Sequence, residues 1–140
     1  MSKIIVAYWS QGGNTETMAQ EIGKGITDAG KEAVVDEIAN VSLDDLKEAS
    51  VFAMGCPAMG DEVLEEDEME PFVAEVEKFA NGKNIALFGS YGWGDGEWMH
   101  NWEDKCKEDG AVLVADGVIC QEEPDDDAVE NCKALGKALA

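Results

Sequence analysis

The sequence predicts an α/β chain folded as a three-layer α/β/α sandwich around a five-stranded parallel sheet of order 2-1-3-4-5. Three observations predict it. Apolar runs alternate with segments of helical period along the whole chain, which places helices on both faces of a parallel sheet. Gly-rich turns follow the apolar runs at residues 4–9, 51–54 and 85–88, and a parallel sheet takes its ligands beyond the carboxyl ends of its strands. The 140 residues make one domain, 1–140, large enough to bury a core of its own.

Taken in order, Ile4-Ile5-Val6-Ala7-Tyr8-Trp9 reads as a buried strand near residues 3–9. The helix expected over 14–29 carries Met18, Ile22 and Ile26 at i, i+4 and i+8. A second strand near 33–37, a short helix over 43–48 opened by Ser42, and a third strand near 50–55 come next. Met69, Phe72, Val73, Val76, Phe79 and Ala80 form one apolar face of a helix over 67–80. A fourth strand near 84–89 leads to a helix over 97–109, whose Trp98, Trp102 and Cys106 face the core. The fifth strand is expected near 111–119, with Asp116-Gly117 at most a kink. The last helix, 126–139, turns Val129, Cys132, Leu135, Gly136 and Leu139 inward, and Asp125 to Asp127 cap its start. Gly30, Gly82 and Gly110 are read as left-handed residues that stop three helices.

The charge balance is extreme. There are 31 acidic and 10 basic residues, for a net charge of −21. Such a chain repels nucleic acid and anionic membranes, and it attracts basic partner proteins by electrostatic steering. The N-terminus shows no signal-peptide pattern and no apolar run has the length of a membrane span, so the expected location is cytoplasmic. Cys56, Cys106, Cys120 and Cys132 lack metal-ligand or redox-pair spacing. They read as reduced thiols used as small apolar residues, with Cys56 the one expected to be exposed. His100, the sole histidine, reads as a helix-surface residue, and no metal site is expected.

The chemistry concentrates in three loops. Ser10, Gln11, Gly12, Gly13, Asn14 and Thr15 lie between a strand and a helix start. Backbone N–H groups and the positive end of the helix dipole make such a turn an anion cradle. It lacks the Gly-Lys-Ser/Thr ending of a nucleotide P-loop and the Gly-x-Gly-x-x-Gly of a dinucleotide fold. An uncharged nest for the phosphate of a mononucleotide remains. The second loop runs through Pro57, Ala58, Met59, Gly60, Asp61 and Glu62, and the third through Ser90, Tyr91, Gly92, Trp93, Gly94 and Asp95. Together they offer a phosphate nest, a Met, a Tyr and a Trp, a set that suits a flat aromatic ligand. Trp93 lies among three glycines, a setting more suited to stacking on a ligand than to core packing.

With the Ala-Met-Gly-Asp-Glu and Ser-Tyr-Gly-Trp-Gly-Asp-Gly segments each placed after a strand, the chain resembles the short-chain flavodoxins over nearly its whole length. One departure is Gly12, where that family usually has Thr. The resemblance implies non-covalently bound flavin mononucleotide (FMN) held by all three loops. It implies a low-potential one-electron carrier, cycling mainly between semiquinone and hydroquinone, rather than an enzyme. In this reading Met59 covers the inner face of the ring and Trp93 the outer. The peptide carbonyl of Gly60 turns toward flavin N5, a movement glycine allows cheaply, and Glu62 accepts a hydrogen bond from N3–H. Glu62, Asp61, Glu65, Glu66, Asp67 and Asp95 surround the ring with negative potential. The implied partners are basic faces of reductases and low-potential oxidoreductases, met by a monomer. Two alternatives share the fold: a quinone or azo reductase using FMN, and a flavin reductant dedicated to a radical enzyme. A phosphoacceptor receiver domain is excluded, because residues 10–15 and 55–58 hold no Asp or Glu.

Overall fold

The computed structural model describes residues 3–59, 63–92, 94 and 96–140. Strands and helices alternate as β1 (Lys3–Tyr8), α1 (Asn14–Asp28), β2 (Glu32–Glu37), α2 (Leu43–Glu48), β3 (Val51–Gly55), α3 (Met69–Glu77), β4 (Asn84–Tyr91), α4 (Glu97–Glu108), β5 (Val112–Leu113), β6 (Val118–Gln121) and α5 (Asp126–Leu139). A short 3₁₀ turn, Ile38–Asn40, follows β2. The sheet is parallel and ordered β2-β1-β3-β4-β5, with β6 also paired to β4.

Alternation along the central strands builds two cores. Ile4, Val6 and Tyr8 of β1, Ala53 of β3 and Ala86 and Phe88 of β4 pack with α1 and α5. Ala7 of β1, Phe52 and Met54 of β3 and Ile85 and Leu87 of β4 pack with α3 and α4 on the other face. Strands covered on both sides need apolar residues in both phases, which is why they read as continuous apolar runs rather than as alternating ones. Trp98, Trp102 and Cys106 are buried in the second core, as their spacing predicts.

The fifth strand departs from expectation. It is split into β5, which pairs with Asn84 and Ile85, and β6, which pairs with Phe88 through Tyr91. Between them the chain leaves the ladder. There Gly117 N–H donates to the Glu103 carboxylate at 2.7 Å, and a Cβ at Gly117 would stand 2.6 Å from the Met99 sulfur. Side chains of α4 therefore take the edge that a continuous strand would occupy, and Asp116-Gly117 lies in a break rather than a kink.

Helix ends follow the predicted chemistry with three adjustments. Gly30 and Gly110 take positive φ directly after α1 and α4 and donate to Thr27 and Lys107 carbonyls at 2.9 and 3.0 Å. Gly82 also has positive φ, but it lies in a turn beyond the end of α3 and donates to the Gly110 carbonyl at 2.9 Å, so it links two loops instead of stopping a helix. Ser42 stands at the start of α2 without a side-chain capping bond. The third helix starts at Met69 rather than at 67, because Asp67 and Glu68 form a turn around the Glu65 carboxylate. Asp125 caps α5 as predicted, its Oδ1 accepting from Ala128 N–H at 2.8 Å.

The closest helix contact is between α1 and α5, and it is made by glycines. A Cβ at Gly25 would strike the Lys133 carbonyl, and one at Gly136 would strike the Ile22 carbonyl. Both obstacles are backbone and cannot rotate away. Gly136→Ala should therefore destabilise the protein by about 1–3 kcal/mol through overpacking. Urea unfolding measures this, and an unchanged midpoint would mean that the two helices slide apart freely.

Candidate functional site

Backbone hydrogen bonds run past the ends of the strands and fix the loops that follow them. Trp9 N–H donates to Gly55 O at 3.0 Å, Cys56 N–H to Phe88 O at 3.1 Å, Ala58 N–H to Ser90 O at 2.9 Å, and Glu122 N–H to Tyr91 O at 2.7 Å. The result is a cleft lined by Ser10, Gln11, Gly12, Asn14, Thr15, Pro57, Ala58, Met59, Ser90, Tyr91, Gly92 and Glu122. Eleven of these twelve belong to the three loops singled out from sequence. Gly13, Gly94, Gly60, Asp61, Glu62, Trp93 and Asp95 are not among them, and the last five lie outside the described residues.

The first loop is an anion cradle by geometry. Gly13 is the N-cap of α1 with φ 93°, a left-handed angle that a Cβ would oppose. Ser10 Oγ accepts from the N–H groups of Gly13 at 3.2 Å and Glu16 at 3.3 Å, which leaves its hydroxyl proton free to donate. The N–H groups of Gln11, Gly12, Asn14 and Thr15 meet no acceptor among the described residues. An added Cβ at Gly12 would meet nothing within 4 Å. Thr15 differs from the simple expectation of a hydroxyl aimed at phosphate. It is 1% exposed, its Oγ1 shares a hydrogen bond with Ser90 Oγ at 3.0 Å, and it accepts from Ser90 N–H at 3.4 Å. The pair ties the start of α1 to the end of β4.

The second loop is clamped at its base. Met59 and Val63 exchange backbone hydrogen bonds of 2.8 and 3.0 Å in an isolated antiparallel bridge. Trp98 Nε1 donates to the Cys56 carbonyl at 3.2 Å, and the Tyr91 ring lies 5.6 Å from the Trp98 ring. One buried indole thus braces the second loop and the third. Trp9 Nε1 donates to Glu68 Oε1 at 3.2 Å, joining the start of the first loop to the segment after the bridge.

Cys56 corrects the sequence reading. It is fully buried, its thiol donates to Pro57 O at 3.4 Å and accepts from Glu65 N–H at 3.5 Å. Proximity to a ligand loop suggested exposure, but the thiol points into the loop's own base. Burial pushes the thiols of Cys56, Cys106 and Cys132 up to about 12, and that of Cys120 to about 11. All four stay protonated and unreactive at neutral pH. His100 is exposed on α4, as expected.

Two residues near the cleft escaped sequence reasoning. Glu122 lines it from the β6–α5 loop, and only its Gly-like backbone setting, invisible in the sequence, marks it out. Glu65 was read as one surface charge among several. It is instead 6% exposed and accepts from Asp67 N–H at 2.6 Å, from Glu68 N–H at 2.8 Å and from Met69 N–H at 3.0 Å. Burial disfavours its charge, but the N–H groups of Met69, Glu68 and Asp67 outweigh burial and hold its pKa below the usual carboxylate range. Tyr8, at the end of β1, donates to Glu16 Oε2 at 3.1 Å. Burial and that carboxylate push its pKa up to about 12.

Known proteins match nearly the whole chain. The Flavodoxin family model matches residues 6–136. The chain is 47% identical over 135 residues to a flavodoxin of Clostridium beijerinckii, covering 96% of this chain and 97% of that one. It is 41% identical to a flavodoxin of Megasphaera elsdenii, covering 96% of each. The solution structure of the two-electron reduced Megasphaera elsdenii flavodoxin superposes with a TM-score of 0.88 at 40% identity, over 97% of both chains.

The Glu65 clamp sets an acid dependence. Its folded-state pKa lies below the unfolded value near ~4.3. Its stabilisation is therefore complete above the unfolded value and is lost as pH falls through the lower folded-state value. Glu65→Gln keeps the shape but offers one acceptor oxygen in place of two. At neutral pH the variant should be less stable by about 1–3 kcal/mol, and the gap should close in acid. Urea unfolding of both proteins across that range is the check; a gap independent of pH would show that the charge contributes nothing.

Proposed function

This chain belongs to the flavodoxin family of FMN-binding electron carriers, and we propose that it works as a low-potential one-electron carrier for basic redox proteins. The observation that carries this reading is the cleft. An uncharged cradle with unclaimed N–H groups, a Met-bearing loop and a Tyr-bearing loop converge on one opening. These residues fit FMN. When bound, FMN supplies one-electron chemistry at its ring.

In this reading the Ser10 hydroxyl, the amides of Gln11, Gly12, Asn14 and Thr15 and the Asn14 side chain hold the phosphate. Gly13 gives the turn its angle. Thr15 acts through Ser90, fixing the cradle to β4. Pro57, Ala58 and Met59 form one wall for the ring, and Tyr91, Gly92 and Gly94 lead to the other. Gly60, Asp61, Glu62, Trp93 and Asp95 keep the roles their sequence positions assign: a peptide that turns at N5, an acceptor for N3–H, a stacking ring and local negative charge.

The acidity supports basic partners. Glu66, Asp67 and Glu68 are exposed beside the second loop, on a chain of net charge −21. A cytoplasmic monomer is the setting we propose. Four free buried thiols accord with a reducing compartment, and no helix among the described residues is long and apolar enough to cross a membrane.

Carrier function is tested by electron transfer from the reduced protein to a basic haem protein such as cytochrome c. The rate should fall steadily with added salt at moderate ionic strength, since attraction is screened over roughly 8 Å at physiological salt. A rate indifferent to salt would confine the acidity to solubility.

The cradle itself is tested at Gly12, which has room for a side chain and does not sit at positive φ. Gly12→Thr adds a hydroxyl to the cradle. A hydrogen bond to a charged group contributes roughly 1.5–3 kcal/mol, but a water can already stand in its place. FMN should bind tighter by about 0.5–1.5 kcal/mol after that discount, and riboflavin, which lacks the phosphate, should not. Titrating both flavins into apoprotein decides it: an equal gain for riboflavin would place the phosphate elsewhere.

A further inference from the structure

We propose that the groove between α3 and α4 binds a small neutral molecule that joins an apolar ring to a carbonyl group, with the Trp102 indole N–H donating to that carbonyl. Three observations carry it. The groove has a volume of about 360 Å³, within the range of small-molecule sites. Val73 of α3 and Trp98 and Trp102 of α4 line it and are themselves buried. Val63, one of two large apolar side chains that stay exposed among the described residues, lines it too. Trp102 is 3% exposed, and its Nε1 is the one buried side-chain polar atom among the described residues that meets no acceptor.

The contrast with Trp98, one turn earlier on the same helix, is direct. The Trp98 Nε1 donates to the Cys56 carbonyl at 3.2 Å. Buried indole N–H groups ordinarily find such a partner, and a buried donor left unpaired costs its full desolvation. The missing partner must bring an acceptor. The charges around the groove then narrow its chemistry. Glu70 and Glu77 line it on a chain of net charge −21, so a carboxylate or a phosphate is repelled. An ammonium carries donors only and cannot accept from an indole. The Lys105 ammonium, on the same groove, lies 3.9 Å from the Glu77 carboxylate and 3.4 Å from that of Asp109, so its own neighbours engage it. An uncharged acceptor on an apolar body fits what remains. The groove shares no lining residue with the cofactor cleft, so its occupant does not depend on what the cleft holds.

The experiment titrates the isotope-labelled protein, as purified, with acetophenone and with ethylbenzene. The four tryptophans give separate indole signals in a proton–nitrogen correlation spectrum, and Trp102→Phe identifies the one that matters. Acetophenone should move the Trp102 signal saturably, in the millimolar range. Ethylbenzene has the same ring and a chain of the same length without the oxygen. It is also more apolar, so the informative quantity is the ratio of the two affinities. That ratio should favour acetophenone about fivefold more in wild type than in Trp102→Phe, which keeps an apolar ring and removes the donor. Ala74→Phe fills the groove from an exposed position on α3 and should abolish binding of both probes, a check that holds even where Trp102→Phe does not fold. An unmoved Trp102 signal, the same affinity ratio in wild type and Trp102→Phe, or undiminished binding by Ala74→Phe would each overturn the assignment. So would a trapped water as the partner of the indole, seen as a water-to-indole cross-peak that acetophenone does not displace.

Discussion

The site depends on one constraint: the parallel backbone ladder does not stop where the strands stop. Hydrogen bonds from Trp9 to Gly55, from Cys56 to Phe88, from Ala58 to Ser90 and from Glu122 to Tyr91 carry its register into four successive loops. Loops held only at their ends would wander, but these are held along their first residues. The approach is so close that side chains are excluded. A Cβ at Gly89 would strike the Cys56 carbonyl, and one at Gly55 would strike the Phe88 ring. The space beneath is filled by Trp98, which bonds the same Cys56 carbonyl. Apolar packing and backbone pairing thus meet at one point, and the cleft is the rim that they leave above it.

Much of this was legible because the signals are local. Strand–turn–helix alternation, glycines after apolar runs and periodic faces such as Trp98, Trp102 and Cys106 all act within a few residues. What escaped acts across the fold. The break in the fifth strand lies against Glu103 and Met99 of a neighbouring helix; Asp116-Gly117 is a local turn signal, but nothing local says that it divides the strand in two. Cys56 was misread because adjacency to a ligand loop was taken as exposure, whereas the thiol lies between Pro57 and Glu65. Glu65 looked like its acidic neighbours until its burial and its three amide partners set it apart. Glu122 carries no sequence signal at all, since a positive φ at a non-glycine residue is a property of the assembled loop.

The carboxylates of this chain do different work according to where the fold puts them. Glu65 exchanges water for amide N–H groups and becomes a structural clamp at the base of the second loop. Glu103 does the same for Gly117 at an edge of the sheet. Glu16 accepts from the Tyr8 hydroxyl and ties the first turn of α1 to the end of β1. Most of the remainder stay in solvent, where single pairs such as Lys78–Glu75 contribute little to stability and the summed field is what matters.

The first loop adds no cation to that field, since residues 10–15 hold no lysine. A lysine in the turn would neutralise the phosphate and weaken the negative potential along the cleft. The turn instead presents amides and hydroxyls, which would hold a phosphate while leaving its charge in place. Each surface carboxylate about 10 Å away in water-like screening then adds roughly 0.4 kcal/mol against any further negative charge at the ring. Singly that is small, but with so few lysines the contributions share one sign and accumulate. An electron placed at the ring is thereby held weakly, as a low-potential donor requires. Seen from outside, a net charge of −21 attracts proteins of opposite charge. A neutral first loop inside an acidic surface therefore leaves the field of the carboxylates uncancelled at the cleft.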